Sequence, residues 1–228
     1  MTSQEFIQLL DARIAKYDLL CHPFYKAWSA GQLSREDLCD YAREYFHHVE
    51  AFPSYLDEFA ARLPHNHMRR AVLANREEET GGDGSRPHAE LWLDFVEGMG
   101  GNRNAAGGAQ VPEMKNLIRS FHAVAREGAP EEALAAFYAY ESQVPRVAAE
   151  KAKGLREMYG ADEKTCGYFT LHTTADVYHS RVWESQLERI VEDSPAAEQR
   201  ALVAAEQAAK ALWNALDGIE AARSSRAA

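Results

Sequence analysis

One stretch near the end of the chain carries three side chains of types that bind metal ions. His172, Asp176 and His179 follow one another at spacings of i, i+4 and i+7. On a helix with 3.6 residues per turn these positions lie on one face, so the spacing predicts three potential ligands that project together from a single helix. The neighbouring Phe169 and Trp183 indicate that this face points inward. The alternative is a pair of partly buried histidines hydrogen-bonded to an acid.

Three further candidate ligands lie earlier in the chain. Glu141 ends the apolar and aromatic stretch Ala-Ala-Phe-Tyr-Ala-Tyr-Glu, where a carboxylate is costly to bury unless it is paired or bound to metal. Glu79 closes an acidic run before a glycine-rich loop, and His88 follows that loop. Considered one at a time, Glu141 is typical of a surface glutamate, Glu79 of a solvated charge and His88 of a helix cap.

Together the six residues supply three carboxylates and three imidazoles. Mixed oxygen and nitrogen ligation of this kind suits redox-active iron or manganese. Helix bundles build carboxylate-bridged dinuclear sites from inward-facing Glu and His side chains. Since no cysteine is among the candidates, a structural zinc site of the Cys/His type is disfavoured.

The elements that must position these side chains are predicted to be helices. Strand signals are nearly absent, whereas apolar residues recur with helical periodicity, as in the first predicted helix. Ser34 to Asp37 resembles a capping box that opens a long helix, which Pro53 is expected to kink or end. Further helices are predicted near 64–80, 88–99, 112–127, 130–159, 162–192 and 195–222. The sequence therefore predicts one all-α domain, residues 1–228, built as a bundle of seven or eight helices.

Composition excludes several classes of partner. The 228 residues carry a net charge of −10, which argues against nucleic acid or an anionic membrane as a main partner because both attract positive surfaces. No apolar run reaches the roughly 18 residues of a membrane span, and the charged N-terminus is unlike a signal peptide. Cys21, Cys39 and Cys166 form no CxxC pair, as in proteins of a reducing compartment. We therefore expect a cytoplasmic protein.

Longer motifs give the chain a family resemblance. They cover nearly its whole length and lie in the segments 22–31, 41–53, 79–92, 140–151 and 168–179. With these motifs the chain resembles the chlamydial protein associating with death domains and its bacterial relatives. These form a branch of the TenA/PqqC superfamily, so the resemblance implies the haem-oxygenase-like fold.

The resemblance also implies a function. It implies a dinuclear iron or manganese centre on the six residues named above, which reacts with dioxygen and a reductant to form p-aminobenzoate for folate, and it implies a homodimer. A tyrosine of the protein itself is thought to be consumed in this family. The matching position is Tyr25, with Tyr41 as a second tyrosine nearby and Lys151 at the position of the proposed amine donor.

Two questions stay open at this stage. Glu78 is an alternative to Glu79, because the loop before His88 appears longer than in the chlamydial protein; counting four residues on from Asn75 favours Glu79. The same ligands would also serve a catalytic oxygenase acting on a diffusible small molecule. A thiaminase-like hydrolase is disfavoured because 130–159 contains no cysteine, and a metal-free oxidase would leave the six ligands without purpose. Nothing in the sequence favours a binding or signalling protein.

Overall fold

The fold is built from helices throughout the described residues. The structure is a computed structural model that describes residues 2–82, 84–108, 110–192 and 194–226. Within these ranges it contains three 3₁₀ helices, Ala15–Tyr17, Leu19–Cys21 and Arg103–Ala105, and no β-strand. The α-helices are α1 Ser3–Ile14, α2 Pro23–Ser29, α3 Arg35–Arg62, α4 His67–Thr80, α5 His88–Gly98, α6 Pro112–Glu127, α7 Pro130–Glu141, α8 Val144–Tyr159, α9 Glu163–His172, α10 Ala175–Val191 and α11 Pro195–Arg226. The all-α prediction is confirmed.

Two of the predicted helices are each divided, and the described residues form eleven α-helices in all. The predicted helix 130–159 stops after Glu141 and restarts as α8, with Pro145 in its first turn, a position where proline's missing N–H is tolerated. The predicted helix 162–192 breaks at Thr173 and Thr174. His172 therefore ends α9 and Asp176 lies in the first turn of α10, so the prediction that they share one helix face is wrong.

The long helix α3 begins as predicted but does not end at Pro53. The Ser34 side chain accepts the backbone N–H of Asp37, and the Asp37 carboxylate accepts that of Ser34, which confirms the capping box. Helix α3 continues past Pro53 to Arg62. A proline removes one backbone donor, but buried residues on both sides of it, including Phe52 and Leu56, keep the helix packed on the core.

Helix α7 lies at the centre of the core. Every residue from Ala133 to Glu141 is buried, as expected for a helix that is apolar on every side, and it packs against α10 and α11. Trp28, Trp92 and Trp183 are fully buried, and Trp183 packs against Phe137 of α7. None of the described helices is both long enough and apolar enough to cross a membrane.

Candidate metal centre

The six predicted ligands form two buried groups of three. In each group the potential ligand atoms lie within 4.8 Å of one another. The first group is Glu79, His88 and His172, and the second group is Glu141, Asp176 and His179. Five helices, α4, α5, α7, α9 and α10, contribute to these groups. The structure thus brings together every residue that the sequence singled out as a metal ligand.

The end of α4 and the start of α5 deliver Glu79 and His88 to the first group. Helix α4 ends at Thr80 and is capped by Gly81, whose φ of +72° is left-handed and suits glycine. The chain then returns to start α5 at His88. Glu79 is 6% exposed and belongs to the first group, whereas the Glu78 side chain is 40% exposed and lies outside it. Adjacent helical residues point about 100° apart, so only Glu79 faces inward here.

The break between α9 and α10 separates the three residues of the original motif. It leaves His172 at the end of α9 in the first group, and it places Asp176 and His179 in the first two turns of α10 in the second group. A continuous helix would have aimed all three at one point. The break instead lets one short segment serve both groups.

A hydrogen bond orients one of the two imidazoles of the first group. Nδ1 of His172 lies 2.7 Å from the carbonyl oxygen of Tyr168, so this nitrogen donates and Nε2 keeps its lone pair for an ion. Nδ1 of His88 lies 2.9 Å from Oε2 of Glu79, yet it has no aligned hydrogen-bond partner among the described residues. A cation between these two atoms would satisfy both of them.

The second group is likewise held by hydrogen bonds. Glu141 accepts a bond of 2.9 Å from Nδ2 of Asn75 and another from Nε1 of Trp183. Nδ1 of His179 lies 3.2 Å from Oδ1 of Asp176 and 3.8 Å from Oε1 of Glu141. These bonds fix the three side chains around one point.

Electrostatics in the second group favour a bound cation. Burial raises the pKa of Glu141 to about 8, although His179 opposes the shift. Burial opposes charge on His179, but Asp176 and Glu141 together raise its pKa to about 10. Protons on these side chains therefore take the place of a cation when no ion is bound. The nitrogen and oxygen donors of the group suit iron or manganese.

A small cavity lies between the two groups. Its volume is 10 Å³, and it is lined by Glu79 and His172 of the first group and by Glu141 and Asp176 of the second. That space is roughly the size needed for one water molecule. Residues of both groups thus face one small shared space.

The remaining predicted residues form a second cluster, which we call the Tyr–Lys cluster: Tyr25, Tyr41 and Lys151. The hydroxyls of Tyr25 and Tyr41 are 2.9 Å apart. Nζ of Lys151 donates to Tyr25 Oη over 2.7 Å and also to Tyr41. All three side chains are buried, and burial holds the pKa of Lys151 well below its ordinary value. Burial therefore favours the neutral form of this amine.

Two tyrosines lie between the Tyr–Lys cluster and the metal-binding groups. Tyr140 and Tyr168 line both the 10 Å³ cavity and a second cavity of 20 Å³ beside Tyr25 and Lys151. Burial raises the pKa of both hydroxyls well above the ordinary value. The two clusters thus meet across these rings.

Sequence reasoning missed the residues that hold the ligands. Trp183 was interpreted only as an apolar neighbour, yet it donates to Glu141. Tyr168 orients His172 through its carbonyl. Asn75 served only to count helical register, although its amide also binds Glu141. The available signal was spacing, since Asn75 and Tyr168 each precede a candidate ligand by one helical turn.

We expect the second group to bind divalent ions more tightly as pH rises. An imidazolium has no lone pair for an ion, and the raised pKa of His179 means that binding must release its proton. For each proton that binding displaces, the affinity for the ion rises about tenfold per pH unit. Anaerobic Mn(II) titrations of the metal-free protein between about pH 6.5 and pH 8.5 would measure this. Equal affinity at both ends would contradict proton displacement.

Comparisons with known proteins identify the family of the chain. The model of the family described as iron-containing redox enzymes matches residues 39–213. A 4-aminobenzoate synthase of Nitrosomonas europaea is 36% identical and covers 96% of this chain and 92% of its own length. A 4-aminobenzoate synthase of Chlamydia pneumoniae is 32% identical and covers 95% of this chain and 94% of its own.

Solved structures agree on the fold. A protein of Shewanella denitrificans with a haem-oxygenase-like fold matches 97% of this chain and 91% of its own, with a TM-score of 0.77 and 16% identity. The predicted fold and the predicted family resemblance are thus confirmed. The chain belongs to the iron-containing redox enzyme family and, within the haem-oxygenase-like fold, to the family of the 4-aminobenzoate synthases.

Proposed function

We propose that this protein forms p-aminobenzoate from the side chain of its own Tyr25, with Lys151 as the source of the amine. The observation that carries the proposal is the hydrogen bond of 2.7 Å from the Lys151 amine to the Tyr25 hydroxyl in a buried cavity. Relatives that match nearly the whole chain are 4-aminobenzoate synthases. The six ligands are proposed to hold two ions of iron or manganese.

The atoms of tyrosine account for the carbon of the product. p-Aminobenzoate has a benzene ring with one para carboxyl carbon, and a tyrosine side chain has the same ring with one para methylene. Cleavage of Cα–Cβ, oxidation of Cβ to a carboxylate and replacement of the hydroxyl by the Lys151 amine convert one into the other. The hydroxyl leaves as water, and the Cε–Nζ bond of Lys151 breaks as Cε is oxidised to an aldehyde. A bound metal centre, with dioxygen and a reductant, would supply the oxidising chemistry for the changes at Cβ and at Cε.

Cavity size favours Tyr25 over a diffusible substrate. The cavity beside Lys151 has a volume of 20 Å³, enough for about one water molecule and far too small for an aromatic acid. The Tyr25 ring already lies there, with its centroid 4.2 Å from Nζ of Lys151. A diffusible aromatic substrate would have to displace buried side chains that pack this space.

Lys151 is suited to act as a nucleophile. An amine attacks only in its neutral form, and burial favours that form by lowering the pKa of Lys151. Its hydrogen bonds to Tyr25 and Tyr41 hold Nζ at the carbon–oxygen bond that must be exchanged. Tyr41 thereby positions both reacting side chains, since its hydroxyl also contacts that of Tyr25.

Intact-protein mass tests the proposal directly. The metal-free protein is loaded anaerobically with iron and manganese, given a reductant and then exposed to air. We expect at most one p-aminobenzoate per chain, with the lost mass confined to peptides that contain Tyr25 and Lys151. Repeated turnover without loss of protein mass would instead favour the oxygenase that acts on a diffusible molecule.

Metal content should fall by one ion when either group is damaged. We expect two ions per wild-type chain, and one in each of His172→Ala and His179→Ala, because each group loses one of its three ligands. Elemental analysis after anaerobic loading gives the count. His65→Ala is the control, because that histidine is exposed and lies in neither group. Two tightly bound ions in both ligand variants would contradict the assignment.

A further inference from the structure

The second group has a solvent-facing side. A cavity of 260 Å³ is lined there by Arg70, Asn75, Glu78, His179 and Trp183, among others. His179 belongs to the second group, and Asn75 and Trp183 both hold Glu141 of that group. The inner wall of the cavity is therefore the outer side of the second group.

Glu78 connects this cavity with the buried imidazole. Its side chain is 40% exposed, whereas that of His179 is 2% exposed. Oε2 of Glu78 lies 2.9 Å from Nε2 of His179. The other ring nitrogen, Nδ1, faces Asp176 and Glu141. Nδ1 of the imidazole thus points to the other two ligands of the second group, and Nε2 points to a carboxylate that is partly exposed to solvent.

This arrangement has a known physical effect on metal-binding histidines. When the second ring nitrogen donates to a carboxylate, the tautomer and the ring orientation are fixed and the ligating nitrogen becomes more basic. In His179, donation from Nε2 to Glu78 leaves the lone pair on Nδ1, toward the other two ligands. Glu79, the next residue, serves the first group.

From these contacts we infer that Glu78 is a positioning residue for the second group and that the ion of this group enters through the cavity that Glu78 lines. The inference rests on the metal centre of the proposed function. It makes the two groups unequal, because the Glu78 carboxylate contacts a ligand of the second group and lies outside the first. Removing this carboxylate should therefore weaken the second ion selectively.

An anaerobic Mn(II) titration followed by electron paramagnetic resonance tests the inference. Wild-type protein should bind two ions and give the signal of a coupled Mn(II) pair. Glu78→Ala should bind the first ion normally and the second about 10- to 100-fold more weakly, with a mononuclear signal at intermediate Mn(II). A chelator should also remove the second ion faster from Glu78→Ala. Glu78→Gln, which keeps an acceptor without the charge, should fall between the two.

Glu77→Ala is the matched control, because Glu77 is an exposed glutamate on the same helix. Wild-type affinities in both Glu78 variants would overturn the inference, as would an equal loss of both ions. The titration needs neither oxygen nor product. A wild-type protein that makes no p-aminobenzoate, combined with a selective defect in Glu78→Ala, would therefore reject the proposed function and keep the inference.

Discussion

Tyr25→Phe is expected to form no p-aminobenzoate while it still binds two metal ions. Phenylalanine keeps the buried ring but lacks the oxygen through which Tyr25 contacts Tyr41 and Lys151. Without that oxygen there is no carbon–oxygen bond for the amine to exchange. Product is measured by chromatography after aerobic incubation of the metal-loaded protein, and the expected effect is complete loss.

Tyr55→Phe is the matched control for this variant. Tyr55 is also fully buried, and its hydroxyl has no hydrogen-bond partner among the described residues, so its loss should leave product formation unchanged. A labelling experiment completes the test. Protein made with ring-labelled tyrosine should give labelled product, whereas labelled free tyrosine added to unlabelled protein should not. Product formed by Tyr25→Phe would remove Tyr25 from the mechanism.

Lys151→Met is expected to abolish product formation and to stabilise the folded protein. The variant lacks the amine that the proposal transfers, and it replaces a buried polar group with an apolar chain of similar length. Protein labelled with ¹⁵N at lysine side chains should give ¹⁵N-labelled product in the wild type. Product with unlabelled nitrogen would show that the amine has another source.

The gain in stability should depend on pH. Because burial lowers the pKa of Lys151 in the folded state, the unfolded wild-type chain binds a proton that the folded chain does not. Wild-type stability therefore rises with pH through the interval from this lowered pKa up to the ordinary lysine value of about 10.4. The pH-dependent gain in the free energy of unfolding of Lys151→Met over the wild type should be greatest at the lower end of this interval. It should vanish above the ordinary lysine pKa.

Thermal melting at several pH values measures this difference, at about 2–4 °C for each kcal/mol in a protein of this size. Lys153→Met on the same helix is the control, because Lys153 is exposed and its removal should leave the pH dependence unchanged. If the melting temperatures of Lys151→Met and of the wild type differed by the same amount at every pH, the pKa of Lys151 would not be lowered in the folded protein.

The sequence predicted which residues meet in the candidate centre better than it predicted how they meet. Histidine and carboxylate types within apolar stretches, together with the family motifs, identified all six members of the two groups. The single-helix reasoning for His172, Asp176 and His179 was wrong, because the chain breaks at Thr173 and Thr174. The break contains neither glycine nor proline, the two residues that most strongly interrupt helices, so no strong local signal in the sequence marks it.

Lys151 shows the same limit. A straight helix from Glu141 would place Lys151 well away from the direction of that glutamate, because ten residues turn through about 1000°. The helix is in fact interrupted at Ser142 and Gln143, where buried Gln143 accepts the N–H of Leu19 and donates to the carbonyl of Ala139. The contact with Leu19 joins residues far apart in the sequence, and helical periodicity does not reveal it.

On the proposed function, the close packing around Tyr25 would limit the lifetime of a chain that has lost this side chain. The ring is 2% exposed and touches Phe24, Trp28 and Tyr41, so its excision leaves a hollow in the core. Losing a buried aromatic side chain costs about 3–5 kcal/mol, out of a total stability of about 5–15 kcal/mol. On the proposed function, a chain that has released its product unfolds more often and is exposed to proteases. Each molecule of this aromatic acid would then require the synthesis of one new polypeptide, and cellular proteases would degrade the chain that is left.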